Sequence, residues 1–385
     1  MASILIRGPL LTQSGYGVHS RQIFKWALSR GHQVSVQLTP WGVTPWYLDF
    51  EECNGLVGEI MKRSAEPVYP PEISIQIQLP NEWDPNLCHK NIGITAGIET
   101  NICSQQWVAA CKAMDHVVVP SKFTKNTFAT CGFPDATVVG ETFIEECLSD
   151  TYEELEELSN LKTKKNFLIF GQLTGMNPEF DRKNTFHAVK WFLETFKKKK
   201  DVSLIIKTNS GTNCTMDKRV TSRKLRNYIS QLRTPDTKCK VYLLHGYLPS
   251  EKIAGLYKSK KLTGIISATR GEGFGLPMIE AAACGLPVVA TNWSGHKDFL
   301  GKDGLWLPVD YTLKPVVREK IDGNMIVPGA MWATADEKSF KKQILALYKN
   351  PAFYKKKAKL LSKNIHNNFG FDKIASDYDK VLCLI

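Results

Sequence analysis

The sequence predicts an α/β protein made of two doubly wound halves. Three observations carry this. Short apolar strand-like segments alternate with amphipathic helical ones along the 385 residues. The rhythm breaks once, in the acidic then basic stretch "EECLSDTYEELEELSNLKTKKN", and restarts with "FLIFGQL" (167–173). The length suits two domains of about 100–200 residues each.

In the first half, "ASILIRG" reads as a short apolar strand and "SGYGVHSRQ" as a glycine-rich turn. An amphipathic helix follows through Ile23, Phe24, Trp26, Ala27 and Leu28 and ends at Gly31. "HQVSVQLT" is the next strand, "ISIQIQL" (73–79) alternates strictly, "NIGITAG" (91–97) is another strand, and "DHVVVPS" (115–121) is a buried one. In the second half a helix through Phe186, Ala188, Val189 and Phe192 follows the opening strand. "VSLIIKT" (202–208), "VYLLHGY" (241–247), "GIISA" (264–268) and "GLPVVATN" (285–292) are further strands, and the last stretch is helical. No internal repeat or low-complexity segment interrupts the pattern. The expected boundaries are 1–155, 156–365 and 366–385, the last a helix packing back on the first domain. Sheets of this kind bind ligands at the carboxyl ends of their strands, so the ligand is expected in the cleft between the halves.

Composition narrows the class. Hydrophobic residues make up 43% and charged ones 23%, an ordinary globular balance. No apolar run of about 18 residues exists, and the N-terminal apolar stretch is too short and interrupted for a signal peptide. The ten cysteines include no C-x-x-C pair, which disfavours structural zinc and a disulfide framework. They read as reduced, mostly buried thiols in a cytoplasmic protein. The formal charge of +12 is the unusual feature, with lysines clustered at 197–200, 258–261 and 355–363. Such clusters are either solvated helix ends or a long-range pull on a polyanion, nucleic acid or acidic membrane.

The chemistry concentrates in "RGEGFGLPMIEAAACGLPVVA" (270–290). Gly271, Gly273 and Gly275 allow tight turning and close approach to a ligand. A helix starting near Leu276–Pro277 offers unsatisfied N–H groups and a positive dipole end to phosphate. Glu280 falls about one turn into that helix, where its carboxylate can accept from two vicinal ribose hydroxyls.

This stretch resembles the E-x7-E signature of the family 4 glycosyltransferases, retaining enzymes of the GT-B fold that use nucleotide-sugar donors. The resemblance extends over "HGYLPSEKIAGLYKSKKLTGIISATRGEGFGLPMIEAAACGLPVVATNWSG" (245–295), "MDHVVVPSKFTKNTFATCGF" (114–133) and "SGYGVHSRQI". It is least clear over residues 41–70 and 305–335. It implies that Glu280 binds the donor ribose and that Glu272 lies near the transferred sugar and its phosphates. Backbone amides of Gly273, Phe274, Gly275 and Leu276 would hold the sugar and diphosphate. "FDRKN" (180–184) is similar to the family's basic element and would place Lys183 and Arg182 on the diphosphate. Where the family often has an arginine after the first strand of this domain, this chain has Gln172. In the first half, Gly15 and Gly17 would let a loop approach the sugar or its phosphate, and Glu99 would face the cleft near the sugar.

The implied reaction moves a glucose-type hexose from a nucleoside-diphosphate sugar, expected to be a UDP-sugar, to an acceptor hydroxyl. Cations and the helix dipole would stabilise the departing diphosphate, so no metal or other cofactor is expected. Asp377–Tyr378–Asp379, the one D-x-D, reads as exposed surface of the last helix. His19 and His116 read as local hydrogen-bonding residues. The acceptor stays open between a glycan, a hydroxymethylated base in double-stranded DNA (as in phage enzymes that glucosylate their genomes, which would make the source viral and the location the host cytoplasm), and a protein. Trp41, Trp46, Tyr47 and Trp83 could serve a DNA acceptor or be core and loop anchors. A non-catalytic nucleotide-sugar or glycan-binding protein on the same fold is the alternative.

Overall fold

The computed structural model describes residues 2–66, 71–173, 177–301 and 303–384. It divides into two compact units. The first holds Met1–Thr142, Ile321–Ala330 and Phe369–Ile385; the second holds Phe143–Lys320 and Met331–Asn368.

Six strands build the first sheet: β1 (Ser3–Gly8), β2 (Gln33–Leu38), β3 (Ile73–Ile77), β4 (Lys90–Ile94), β5 (His116–Val119) and β6 (Thr137–Val138). They lie parallel in the order β2-β1-β3-β4-β5-β6. Serines start three of its helices by capping: Ser14 accepts from Gly17 N, Ser104 from Trp107 N and Ser121 from Thr124 N.

The alternation in β3 does not mark a solvated face, because the strand lies in mid-sheet and its polar residues are buried as fully as its apolar ones. Ser74 donates to Asn91 Oδ1 at 2.8 Å, and Gln76 donates to Asp84 O at 2.6 Å while accepting from Asp84 N at 2.8 Å. A closed hydrogen-bond set makes such burial tolerable.

The helix Phe371–Leu382 belongs to this first unit and packs on the helix Gly15–Ser29. This corrects the reading of Asp377–Tyr378–Asp379 as exposed surface at Tyr378, while the two acids are only half-buried. Tyr378 is buried and shares a 3.1 Å hydrogen bond with the His19 ring, while Asp379 accepts from Trp26 Nε1 at 2.9 Å and pairs with Arg30 at 3.0 Å. Burial drives the His19 imidazole down to about 4, so it stays neutral.

The second sheet comprises β7 (Lys165–Phe170), β8 (Val202–Thr208), β9 (Lys240–His245), β10 (Leu262–Ser267), β11 (Val288–Thr291) and β12 (Leu307–Val309). All are parallel, in the order β12-β11-β10-β7-β8-β9, so the chain reverses its winding between β7 and β10. Those two carboxyl ends form the switch point where doubly wound sheets bind nucleotides. A two-stranded antiparallel ladder, β13 (Tyr311–Pro315) with β14 (Met331–Ala335), completes this unit. Its core gathers Phe167, Phe186, Phe192, Leu204, Ile266 and Phe340, all fully buried.

By contacts the first division falls at Thr142, whereas the composition change lies some residues later. The reason is local. Cys147, Leu155 and Leu158 are buried in the second unit, Glu146 accepts from Ser250 Oγ at 2.7 Å, and Lys258 Nζ caps Glu146 O at 2.5 Å. The acidic stretch is therefore a strap on the second sheet's unit. All ten cysteines are free, but only Cys103, Cys111, Cys147 and Cys239 are buried, fewer than expected, and Cys214 and Cys383 are exposed.

Candidate active site

Two loops meet at the β7/β10 switch point. One follows β10 and runs through Glu272 into the helix Leu276–Ala283; the other, residues 180–184, precedes the helix Thr185–Thr195. They are laced together by Arg270 N donating to Arg182 O at 2.8 Å and Arg182 donating to Gly271 O at 2.6 Å. Arg270 is a buried anchor beneath them, paired with Glu179 at 2.8 Å and lying over the Trp332 ring.

Glu272 is the centre of the cluster. Its carboxylate receives the Lys183 ammonium at 2.7 Å on each oxygen, the Arg182 guanidinium at 3.2 Å and the Thr269 hydroxyl at 3.0 Å. Burial alone would raise this carboxyl, but Lys183 and then Arg182 outweigh it and hold it down at about 2. Two cations and one buried carboxylate thus sit together where the helix begins. Net charge there is +1 before any ligand arrives, a setting that favours an anion.

The helix start needs its glycines. Gly275 adopts φ +111°, a left-handed conformation that a side chain would strain, and Pro277 fits the first turn. Phe274 offers only backbone to a ligand, since its ring is buried 5.2 Å from that of Phe299. Gly295 backs the loop so closely that a Cβ on it would lie 2.0 Å from Gly273 O. Gly295→Ala is expected to cost about 1–3 kcal/mol, because backbone must shift to admit the methyl. Thermal denaturation checks this, and donor affinity should fall with it as Gly273 is displaced.

One turn into the helix, Glu280 is nearly buried and accepts from Tyr257 OH at 3.1 Å. Burial pushes its carboxyl up to about 8, opposed by the Tyr257 hydrogen bond and helped by the charge of Glu146. The two acids are thus set far apart by their surroundings, Glu272 ionised and Glu280 holding its proton at neutral pH.

Three participants escape sequence reasoning. Ser294 accepts from Glu272 N at 2.9 Å and meets His296 Nδ1 at 3.4 Å; His296 Nε2 donates to Thr291 O at 2.7 Å. Ser294 does this from φ +85°, a strained conformation for a non-glycine residue. His296 is fully buried and driven down to about 4, so it orients the loop as a neutral ring. Tyr257 reads as an ordinary core position in its helix; only the need of a buried phenol for a partner points to it. Gln172, standing where an arginine was expected, is exposed, and its backbone bonds the Thr185 hydroxyl at 3.1 Å.

Gly15, Gly17 and Glu99 belong to the first unit. The two glycines lie in the first helical turn rather than in a loop. Gly17 is required by packing, as a Cβ there would lie 2.2 Å from Thr12 O, whereas Gly15 faces open space. Between them Tyr16 bonds Thr95 Oγ1 at 2.9 Å, accepts from Ala96 N at 3.0 Å and stacks on Trp41 at 3.9 Å. Half-buried Glu99 is near enough to raise the Tyr16 phenol further, after burial itself. The structure therefore brings these residues together at the carboxyl ends of β1 and β4. Of the other aromatics, Tyr47 and Trp83 are buried, and Trp46 is exposed.

Solved structures of the same architecture cover the whole chain. Anabaena HepE in complex with UDP-glucose superposes with a TM-score of 0.66 over 100% of both chains at 14% identity. Sucrose-phosphate synthase from Thermosynechococcus elongatus gives 0.64 over 99% of this chain and 98% of its own, at 13% identity. At these identities the likeness establishes the fold. Residues 180–310 match the family model of glycosyl transferases group 1, and residues 252–377 match that of family 4 glycosyltransferases in conflict systems. The chain as a whole has the GT-B fold, and residues 180–377 carry its matches to glycosyltransferase families.

The matched stretches contain the whole Lys183–Glu272–Glu280 constellation. A curated relative, O-antigen chain mannosyltransferase B of Escherichia coli, is 38% identical over 60 residues, which is 16% of this chain and only 15% of the relative. Among the described residues no three His, Cys, Asp or Glu side chains are grouped as a metal ion would need, and no helix is long and apolar enough to cross a membrane.

Proposed function

We propose that this protein is a glycosyltransferase that moves a glucose-type hexose from a UDP-sugar to a hydroxyl of a glycan, with retention of anomeric configuration. The observation that carries the reading is the Glu272–Lys183–Arg182 cluster at the start of the Leu276–Ala283 helix. In this reading the ribose hydroxyls bind Glu280, and the diphosphate lies against the loop at 273–276 and the helix dipole. Lys183 and Arg182 turn part of their charge from Glu272 to the phosphates as the sugar C1–oxygen bond breaks, where stabilisation of developing charge has its largest effect. The acceptor oxygen bonds C1 from the face the diphosphate leaves, and its proton passes to the departing phosphate oxygen. Protein groups supply the positive charge, so transfer is expected to survive EDTA. UDP-glucose, bound in the Anabaena neighbour, is the donor to try first.

The net charge of +12 supports a second acceptor, a hydroxymethylated base in duplex DNA, as in a virus that modifies its genome. One mass-spectrometric assay tests both. Protein with UDP- and GDP-sugars is offered oligosaccharides or hydroxymethylcytosine DNA, with Glu280→Ala and Lys183→Ala as controls. A hexose gain on the oligosaccharide, lost in both controls, is the expected result. A gain on DNA alone overturns the glycan reading, and no consumption of any donor makes the chain a binding protein.

A further inference from the structure

The three lysine clusters play no part in the donor site, and the fold shows why. Residues 197–200 lead into β8 and residues 258–261 into β10, while Lys164 precedes β7 and Lys240 opens β9. Each therefore lies at the amino end of its strand. The donor site lies at the carboxyl ends, about 20 Å away along strands of six or seven residues. Parallel pairing brings the four amino ends to one edge.

The helix Pro351–Phe369 joins the same edge. Tyr348, just before it, accepts Lys165 Nζ on its carbonyl at 2.7 Å, and its ring carries the ammonium groups of Lys165 at 4.1 Å and Lys199 at 5.7 Å. Lys355 is lowered from its ordinary value by burial first, then by the like charges of Lys359 and Lys260, so the helix and the loop before β10 face one another. Among the described residues, Lys164, Lys199, Lys240, Lys260, Lys356 and Lys359 are exposed, and none forms an ion pair. Acids of the strap reach one corner of this edge, where Glu154 accepts from Ser259 Oγ at 2.7 Å, but none pairs with these six lysines, and a surface so rich in lysine favours an anionic partner.

The outer face of the helix adds a second property. Phe353 and Leu360, seven residues apart and therefore on one side, are 53% and 54% exposed among these lysines. Phosphate backbones use the ammonium groups but have no place for the apolar pair. A headgroup layer takes both, cations at the anionic lipid phosphates and apolar side chains at the acyl boundary.

We propose that this edge, with the outer face of the Pro351–Phe369 helix, docks the protein on an anionic lipid surface. Docking there leaves the donor site at the opposite end of the strands, turned away from the bilayer. The inference does not depend on the donor or acceptor assigned above.

Vesicle co-sedimentation of the full chain tests it, using phosphatidylcholine alone and phosphatidylcholine mixed with phosphatidylglycerol. Binding to the mixed vesicles only is expected. Lys356→Glu with Lys359→Glu should weaken it at least about tenfold, at roughly a fivefold effect per charge near the surface. Phe353→Ser with Leu360→Ser should weaken it several-fold, and by the same factor at high salt. Unchanged melting temperatures certify the variants, and Lys164→Glu with Lys199→Glu replaces the first pair if it fails to fold. No binding to mixed vesicles, or binding indifferent to Phe353 and Leu360, overturns the proposal. So does salt-sensitive capture of duplex DNA, lost in the lysine variant, with no vesicle binding.

Discussion

Lys183→Ala is expected to slow sugar transfer by at least about a hundredfold at saturating donor, roughly 3 kcal/mol of transition-state stabilisation. The ammonium it removes contacts both oxygens of Glu272 at 2.7 Å and is the largest counterweight to that acid's burial. Two losses combine. The departing diphosphate loses a cation, and Glu272 is left with Arg182 at 3.2 Å and one hydroxyl. The second loss has its own signature in acid. Glu272 is held at about 2 in the fold, below its ordinary 4.5, so it contributes stability that is present above 4.5 and lost as pH falls towards 2. In the variant that acid-sensitive part of the melting curve should shrink. Single-turnover kinetics with pH-dependent melting separates the two effects; an unchanged transfer rate with a changed acid limb would make Lys183 a positioning residue for Glu272 only. Arginine is not expected to restore the rate, because a planar guanidinium cannot set one ammonium between both oxygens.

Glu280→Ala should weaken donor binding about a hundredfold, the scale of two hydrogen bonds to a charged acceptor. The more telling experiment is the pH dependence. Burial holds the Glu280 carboxyl at about 8 in the free protein, yet ribose hydroxyls donate best to the ionised form. Donor affinity should therefore rise with pH, by about tenfold between pH 7 and 9, and level off above the Glu280 value. Glu280→Gln should flatten the profile. Stability moves the other way. The folded state keeps a proton that the unfolded chain has lost between 4.5 and about 8, so the ligand-free protein should lose stability as pH rises through that window. Titration calorimetry across this range, on parent and Gln variant, would show either the rise or a flat line; a flat parent profile would remove Glu280 from ribose binding.

The sequence made the second unit's site readable because its chemistry is nearly contiguous. Glycine, proline and glutamate between 271 and 280 specify turn, helix start and acid within one helical stretch. Lys183 was reachable only through the resemblance, since its contact with Glu272 spans 89 positions. Ser294, His296 and Tyr257 were not reachable, because each acts through a partner that folding alone brings near. One misreading, of Asp377–Tyr378–Asp379, has another cause, and β3 illustrates it too. The polar residues of β3 and the Tyr378 hydroxyl could face water by type, yet Gln76 is buried in a closed network and Tyr378 is buried against the His19 ring. Hydrophobic patterning reports preference for water; it does not report a partner that replaces water.

The way the helix Phe371–Leu382 completes the first unit constrains how the polypeptide matures on the ribosome. The opening 142 residues emerge first, yet the chain crosses units at 142/143, 320/321, 330/331 and 368/369 before that helix is made. Until then Trp26 and His19 lack the side chains of Asp379 and Tyr378. The second unit has only the short Ile321–Ala330 excursion in its path and can close earlier in synthesis. Vectorial folding would then run in the reverse of chain order, with the nascent amino-terminal sheet waiting longest for its last helix and most exposed to chaperones and proteases.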